Sequence, residues 1–166
     1  MSANGASRIP EILEKYEADL LEDWIRAQSS AATRRDDLIS PEEVRRQSAS
    51  FIRLLREAGQ MGSLENISQP HMAAVRDLLN DISCSRARQG FTPTEVAMFI
   101  FSFKKPLFDR LHKEFEHDSA RFADEVWNAT RLLDSLGLYT TESYQKSREE
   151  IIQRQQQEML EDRKST

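Results

Sequence analysis

Cysteine, glycine and proline are scarce in this sequence, and each scarcity excludes a class of protein. The 166 residues include 1 cysteine, Cys84, so an internal disulfide cannot form and a reducing compartment is indicated. With only 5 glycines and 5 prolines, the composition favours helices over a strand-rich fold. The glycines stand singly along the chain, so there is no glycine-rich loop of the kind that binds phosphate.

Long apolar runs and an excess of positive charge are also missing. No apolar stretch approaches the roughly 18 residues that suggest a membrane-spanning helix, and the first ten residues, MSANGASRIP, lack the apolar segment of a signal peptide. The formal net charge is −5 and the pI is near 5.3, which gives the chain no electrostatic reason to bind nucleic acid or an anionic membrane. We therefore expect a cytoplasmic protein that binds neither.

Residues that could carry out chemistry are few and scattered. A zinc or iron site needs three or four converging ligands, whereas His112 and His117 lie among charged residues at a predicted helix end and His71 lies in a first helical turn. Cys84 has no histidine near it in the sequence and is expected to be a small buried thiol. No catalytic motif is present. The sequence therefore predicts neither an enzyme nor a metal site.

Apolar residues recur at intervals of three and four along most of the chain, which is the spacing of one helix face. The pattern predicts five helices, over about 10–28, 41–58, 70–89, 93–115 and 119–136. Two of them have strong start signals, because Ser40 and Thr92 each precede a proline and stand three residues before a glutamate, the capping-box pattern. No strand pattern is visible, so the predicted fold class is all-α.

Glycine and proline mark the expected helix ends and bends. Gly90 is placed to end the third helix in the left-handed conformation, so the third and fourth helices are expected to meet at a sharp corner. Gly59 and Gly137 are expected to end the second and fifth helices. Pro106 lies inside the fourth helix and is expected to kink it near Ser102. This fourth helix is the richest in apolar residues and is predicted to be the central helix of the fold.

The last segment of the chain is helix-forming but poor in apolar residues. Tyr144, Ile151 and Met159 form a thin seam of roughly heptad spacing, which is hard to stabilise on the surface of a monomer. Either a parallel coiled coil leading out of a dimer or a solvated helix docked on its own domain would account for it. The chain is accordingly divided into a disordered N-terminus at 1–8, a helical domain at 9–137 and a linker helix at 138–166.

Arg86 is the charged residue that falls on the apolar stripe of the third helix. It could reach outward to solvent, pair with an acid such as Glu95, or line a pocket that takes an anion. Together with Phe99 and Phe103 of the next helix, Arg86 defines the candidate signal pocket.

Two long blocks, SRARQGFTPTEVAMFIFSFKKPLF and LLDSLGLYTTESYQKSREEIIQRQQQEML, closely resemble the N-terminal input domain of RsbR-type stressosome proteins, and more narrowly the RsbT co-antagonist family. The resemblance covers about residues 9 to 160. It implies a globin-like helical bundle of about five helices plus a long C-terminal linker helix, forming a homodimer that is a non-catalytic sensor. It also implies that the linker leads to a STAS domain, which builds the stressosome core with RsbS and sequesters the kinase RsbT. The sequence leaves the family pattern after Leu160, where EDRKST stands in place of the start of a STAS domain.

The same resemblance raises the question of haem. Sensor globins that carry haem have a proximal histidine in an H-x-R-x-G-hydrophobic pattern, and the stretch from Arg86 to Phe91 is similar to it, with Arg86 in place of the histidine. Arginine keeps its proton and cannot ligate iron, so we expect no haem and no other cofactor. His71 is then the only other candidate ligand near a pocket. The alternative function is a globin sensor that binds haem or a small ligand.

Overall fold

Helices account for nearly all of the regular structure. The computed structural model describes residues 6–30 and 35–165, and within these ranges it contains α-helices and a single 3-10 turn but no strand. The helices are α1 (Ile9–Lys15), α2 (Glu17–Ser29), α3 (Pro41–Met61), α4 (Ala73–Gln89), α5 (Pro93–Phe101), α6 (Lys104–Glu114) and α7 (Ser119–Ser165), and the 3-10 turn (Pro70–Met72) leads directly into α4. This architecture confirms the all-α class and is consistent with a globin-like bundle.

The helix boundaries set by local capping residues are confirmed. Ser40 Oγ accepts a hydrogen bond from the Glu43 N–H at the start of α3 over 3.1 Å. Thr92 and Glu95 form the complete capping box at the start of α5, with bonds of 3.1 and 2.9 Å. Gly90 follows α4 with φ of 102°, the left-handed conformation that glycine adopts without strain. The sharp corner between α4 and α5 therefore follows from a few adjacent residues.

Two predicted helices are divided in the structure. The first is interrupted at Tyr16, between α1 and α2, and the fourth at Ser102 and Phe103, between α5 and α6. Pro106 explains the second break, because it has no N–H to donate to the Ser102 carbonyl and its ring crowds that carbonyl. The predicted bend is confirmed in position, but it is a complete break in the helix.

The prediction that Gly137 ends a helix is wrong, since α7 passes through Gly137 and reaches Ser165. Gly137 is buried against Phe101 of α5, and a Cβ atom placed on it would lie 2.3 Å from Cε1 of that ring. This glycine allows two helices to approach closely, and it does not end one. In the same way, α3 continues past Gly59 to Met61.

The core is centred on an aromatic cluster, which we define as Trp24, Phe51, Phe99 and Phe103. The Trp24 ring centroid lies 4.8 Å from that of Phe103, 4.9 Å from Phe99 and 5.5 Å from Phe51. Trp24 Nε1 also donates a hydrogen bond to Ser102 Oγ over 2.8 Å, so the indole is satisfied although it is buried. The apolar face of the predicted central helix is indeed buried, shared between α5 and α6.

The N-terminal segment is attached to α7 through Glu125. Residues 1–5 of the segment predicted to be disordered lie outside the described part of the chain. Ser7 Oγ and the Arg8 N–H donate to the Glu125 carboxylate over 2.8 and 2.6 Å, and Arg121 forms an ion pair with it over 2.8 Å. Because Glu125 is fully buried, this cluster fixes the start of α1 against α7.

The 47 residues of α7 comprise a packed part and a projecting part. Burial continues past Gly137, the predicted end of the domain, as far as Ser147. From 148 to 164 every residue except Ile151 is exposed. No helix in the described ranges is both long and apolar enough to cross a membrane.

Candidate functional site

A cavity of about 100 Å³ lies where several helix ends meet. It is bounded by the C-terminal ends of α2 and α4, the start of α3 with the loop before it, and one face of α5; we call it the Arg86 pocket. Its apolar wall is formed mainly by Ile25, Ile39, Val44, Phe91, Met98 and Phe99. Its polar groups come mainly from Gln28, Arg35, Asp36, Arg86, Glu95 and Ser102.

Arg86 points into the bundle and is only 4% exposed. Its Nη2 donates to Gln47 Oε1 over 2.8 Å, and its guanidinium carbon lies 4.4 Å from the Phe99 ring centroid and 5.1 Å from that of Phe91. These are cation–π contacts. The buried Nε of Arg86 has no hydrogen-bond acceptor among the described residues. Arg86 therefore neither reaches outward to solvent nor pairs with Glu95, and it lines a pocket.

Burial lowers the pKa of Arg86 to about 10, although the charges of Glu43 and Glu95 act in the opposite direction. Neither carboxylate forms an ion pair with Arg86, because Glu43 pairs with Arg46 and Glu95 pairs with Arg35 over 3.0 Å. The pocket therefore contains a cation that is compensated only by acids at a distance. A pKa lowered to about 10 corresponds to a cost of roughly 3 kcal/mol for the charged form in the fold.

An ion-pair network lies at the edge of the Arg86 pocket. Arg35 binds Glu95 and, over 3.1 Å, also Asp37. Glu95 in addition accepts the hydrogen bond from the Thr92 N–H. Burial acts to raise the pKa of Glu95, but the bonds from Thr92 and Arg35 outweigh it and the pKa is lowered. Glu95 is thereby held as an anion, at the point where the loop before α3 meets α5.

Phe103 was assigned to the signal pocket together with Phe99, and the structure separates the two. Phe99 lines the cavity, whereas Phe103 packs in the aromatic cluster, 5.9 Å from Phe51 between ring centroids. Both rings contact Trp24, but Phe103 lies in the break between α5 and α6 and is packed deeper in the bundle, where the cavity does not reach it.

Sequence reasoning missed two polar residues that hold this site together. Gln47 falls between Val44 and Phe51 on the apolar stripe of α3, so a polar residue out of place was the available signal. Its Nε2 donates to Glu43 over 3.2 Å while its Oε1 accepts from Arg86, which fixes the orientation of the amide. Arg35 carries no comparable signal, because its role depends on how a loop meets α5.

The walls of the Arg86 pocket contact α7. Tyr144 of α7 donates through its hydroxyl to the Phe91 carbonyl over 2.5 Å, and the Phe91 ring lies against Arg86. Phe101, on the same helix as Phe99, packs against Gly137 of α7. Two walls of the pocket therefore rest on the helix that leaves the bundle.

The residues predicted to form the dimer or linker seam differ in exposure and do not form one exposed stripe. Tyr144 is buried in its own bundle, Ile151 is half-buried and Met159 is exposed. Exposed apolar side chains are found instead at Leu138, Ile152 and Met159. Of the three predicted seam residues, only Met159 belongs to this exposed series.

The other candidates for chemistry lie outside the Arg86 pocket. The Nε2 of His71 is 2.6 Å from the Ser63 carbonyl oxygen, so this ring holds the loop after α3. The ring of His112 packs edge-on to a phenylalanine, His117 is exposed, and Cys84 is half-buried. Within the described ranges no group of three or more histidine, cysteine or acidic side chains is arranged to hold a metal.

The structure is thus a helical bundle with a small, largely apolar pocket whose walls rest on a long exit helix. The chain belongs to the family described as the RsbT co-antagonist protein rsbRD N-terminal domain, whose model matches residues 18–159. It is therefore an RsbR-type sensor domain of the stressosome, as the two sequence blocks predicted. It matches no curated protein and no solved structure at a significant level.

Proposed function

We propose that this chain is a non-catalytic, homodimeric input domain that relays the state of the Arg86 pocket through α7. The helix would pass the signal to a STAS domain that, with RsbS, controls an RsbT-like kinase. One observation carries the proposal: α7 is a single unbroken helix of 47 residues, about 70 Å long, that supports the wall of the pocket through Phe91 and projects beyond the bundle. A rigid helix with both properties is suited to transmit a shift or rotation.

The exposed face of α7 supports a second copy of this chain as its partner. Leu138, Gln145, Ile152 and Met159 are spaced by seven residues, and all four are exposed. Trp127, also exposed, precedes Leu138 by eleven residues, about three helical turns, and so shares its face. A seven-residue repeat brings identical positions together in a parallel pair, and a polar residue such as Gln145 within it favours one register. This series replaces the seam predicted through Tyr144 and Ile151.

The oligomeric state tests this dimer. We expect sedimentation equilibrium at micromolar concentration to give a dimer for the natural chain and a largely monomeric protein for Ile152→Glu, because a buried unpaired carboxylate is costly at such a seam. Gln153→Glu adds the same charge one position away and is expected to leave the dimer intact. A monomeric natural chain, or equal dimerisation of both variants, would contradict the proposal.

We also propose that the domain works without haem. Two observations support this: Arg86 stands at the position expected of a proximal histidine, and the aromatic cluster fills the middle of the bundle with close ring contacts. His71, the other candidate, is engaged with Ser63. Absorbance after incubation with haem is the test. We expect no Soret band at stoichiometric occupancy, and such a band would show that the input is a haem globin.

A further inference from the structure

We propose that the Arg86 pocket binds a small organic monoanion, a carboxylate with a short apolar body, and that Arg86 is its anchor. This inference extends the proposed sensor role by naming the class of ligand, and its significance for signalling rests on that role. The binding itself is argued from the pocket alone.

The side chain of Arg86 has a buried hydrogen-bond donor that lacks an acceptor. Buried donors in proteins are almost always hydrogen-bonded, and an exception requires an explanation. The buried Nε of Arg86 lacks an acceptor among the described residues, and a cavity of about 100 Å³ adjoins this side chain. A guanidinium binds carboxylates through short, charge-assisted hydrogen bonds. Because Nε itself is enclosed by protein atoms, a ligand carboxylate would first meet the part of Arg86 that lines the cavity, and it would reach Nε when the guanidinium turns toward it. Either contact would compensate the buried charge.

The acidic side chains near the pocket do not supply the acceptor that Arg86 lacks. Glu43 is bound to Arg46 and Gln47, and Glu95 is bound to Arg35 and the Thr92 N–H. Each of these two pairs is neutral, and among the described residues Arg86 has no directly paired acid. A single negative charge matches it, whereas a dianion such as phosphate would bring a second charge close to Glu95 and Asp36, which line the pocket, and would meet too few donors.

The volume of the cavity and its apolar wall limit the size and polarity of the ligand. Apart from Arg86, much of the wall is hydrocarbon, contributed by residues such as Ile25, Ile39, Val44 and Met98. Since an apolar cavity of about 150 Å³ holds the six carbon atoms of benzene, one of about 100 Å³ accommodates about four non-hydrogen atoms, and the open side of the pocket leaves room for one or two more. Propionate and butyrate have this size, with a carboxylate for Arg86 and methylene groups for the apolar wall.

Ligand binding would also act on the output helix. A carboxylate on Arg86 would compete with the Phe91 and Phe99 rings for the guanidinium, and the Phe91 carbonyl is the acceptor of the Tyr144 hydroxyl. A change at Arg86 is therefore two contacts away from α7. This is one route by which occupancy of the pocket could alter the helix that leaves the bundle.

Thermal unfolding with sodium propionate and sodium butyrate tests the proposal. We expect a saturable rise in Tm with either salt, measured against sodium chloride at equal ionic strength. Butyramide, which is neutral, and sodium hexanoate, which is too long, are expected to give no rise, and sodium phosphate none beyond that of chloride. Isothermal titration calorimetry with butyrate should then give one site per chain.

Substitutions in and near the pocket test whether Arg86 binds the carboxylate. Arg86→Met is expected to abolish the Tm rise, whereas Arg88→Met, which removes an exposed arginine two residues along the same helix, should retain it. If Arg86→Met does not fold, Val44→Phe provides the second test, because it fills the cavity and leaves Arg86 in place; it too is expected to abolish the rise. Retention of the Tm rise in either of these two variants would overturn the proposal.

Two other results of the salt series would contradict the carboxylate proposal. A pocket filled only by water would show no saturable response to any carboxylate, and equal responses to butyrate, phosphate and chloride would indicate an adventitious ion only. Sedimentation of the same samples separates this proposal from the dimeric relay. Loss of carboxylate binding with an intact dimer refutes the ligand class alone, and binding to a monomer refutes the dimeric relay alone.

Discussion

The burial of Arg86 lowers the stability of the folded state. Its guanidinium is 4% exposed and its pKa falls to about 10 because burial disfavours the charged form. At neutral pH it is nevertheless charged. The folded state gains stability only as the pH rises above 10, where the folded chain has released a proton that the unfolded chain still binds. Natural proteins retain such costly groups mainly where function requires them.

This cost predicts that removing the buried pair Arg86 and Gln47 stabilises the domain. Arg86→Met alone would leave the buried Gln47 Oε1 without a donor, at about 1–3 kcal/mol, so the double variant Arg86→Met/Gln47→Leu is the informative one. We expect its free energy of unfolding in urea at pH 7 to exceed that of the natural chain by about 1–3 kcal/mol, as for other buried charged groups replaced by apolar ones. A less stable double variant would mean that Arg86 supports the fold.

At the scale of the elements, the sequence predicts best those features that a few adjacent residues determine. Ser40, Thr92 and Gly90 act through bonds to their own neighbours, so α3, the end of α4 and the start of α5 could be located without the structure. Pro106 also acts locally, and it located the break between α5 and α6. Whether a helix kinks or breaks there depends on how the following residues pack, which the sequence does not show.

Features that depend on a distant element could not be predicted in the same way. A glycine followed by a polar segment is typical of a helix end, yet Gly137 is a glycine because Phe101 occupies the space a side chain would need. Tyr144 has the spacing of a seam residue but bonds to Phe91 of its own bundle. For the candidate site, Arg86 and Phe99 were identified because they are conspicuous on their helices, whereas Arg35 depends on the packing of a loop.

At the scale of the whole molecule, α7 holds the bundle together from one end to the other. Near its start it fixes the N-terminal segment through Glu125, in its middle it supports α5 at Gly137, and further on it binds the corner after α4 through Tyr144. A helix with contacts at three levels cannot rotate without altering all of them. The relay proposed here therefore involves the whole packed part of α7, and not the projecting part alone.

The hydrogen bonds and the ion pair of Glu125 predict how the stability of the bundle changes at acid pH. Burial acts to raise the pKa of Glu125, but hydrogen bonds from Asn128, the Arg8 N–H and Ser7, with the charge of Arg121, outweigh it and lower the pKa. A carboxylate with a lowered pKa contributes stability above about pH 4.5, the usual value for an unfolded glutamate, and this contribution is lost as the pH falls through the folded pKa.

Glu125→Gln removes the charge but keeps the shape, so we expect it to lower the free energy of unfolding at pH 7 by roughly 2 kcal/mol. The difference from the natural chain should shrink as the pH falls from neutral to below about 4.5, because the natural carboxylate is protonated as the pH passes through its lowered pKa. Urea unfolding across this range measures the difference, with Asp124→Asn, an exposed neighbour on α7, as the control that should follow the natural chain. A pH-independent difference for Glu125→Gln would mean that the cluster is held by packing, and that its charge does not attach the N-terminal segment to α7.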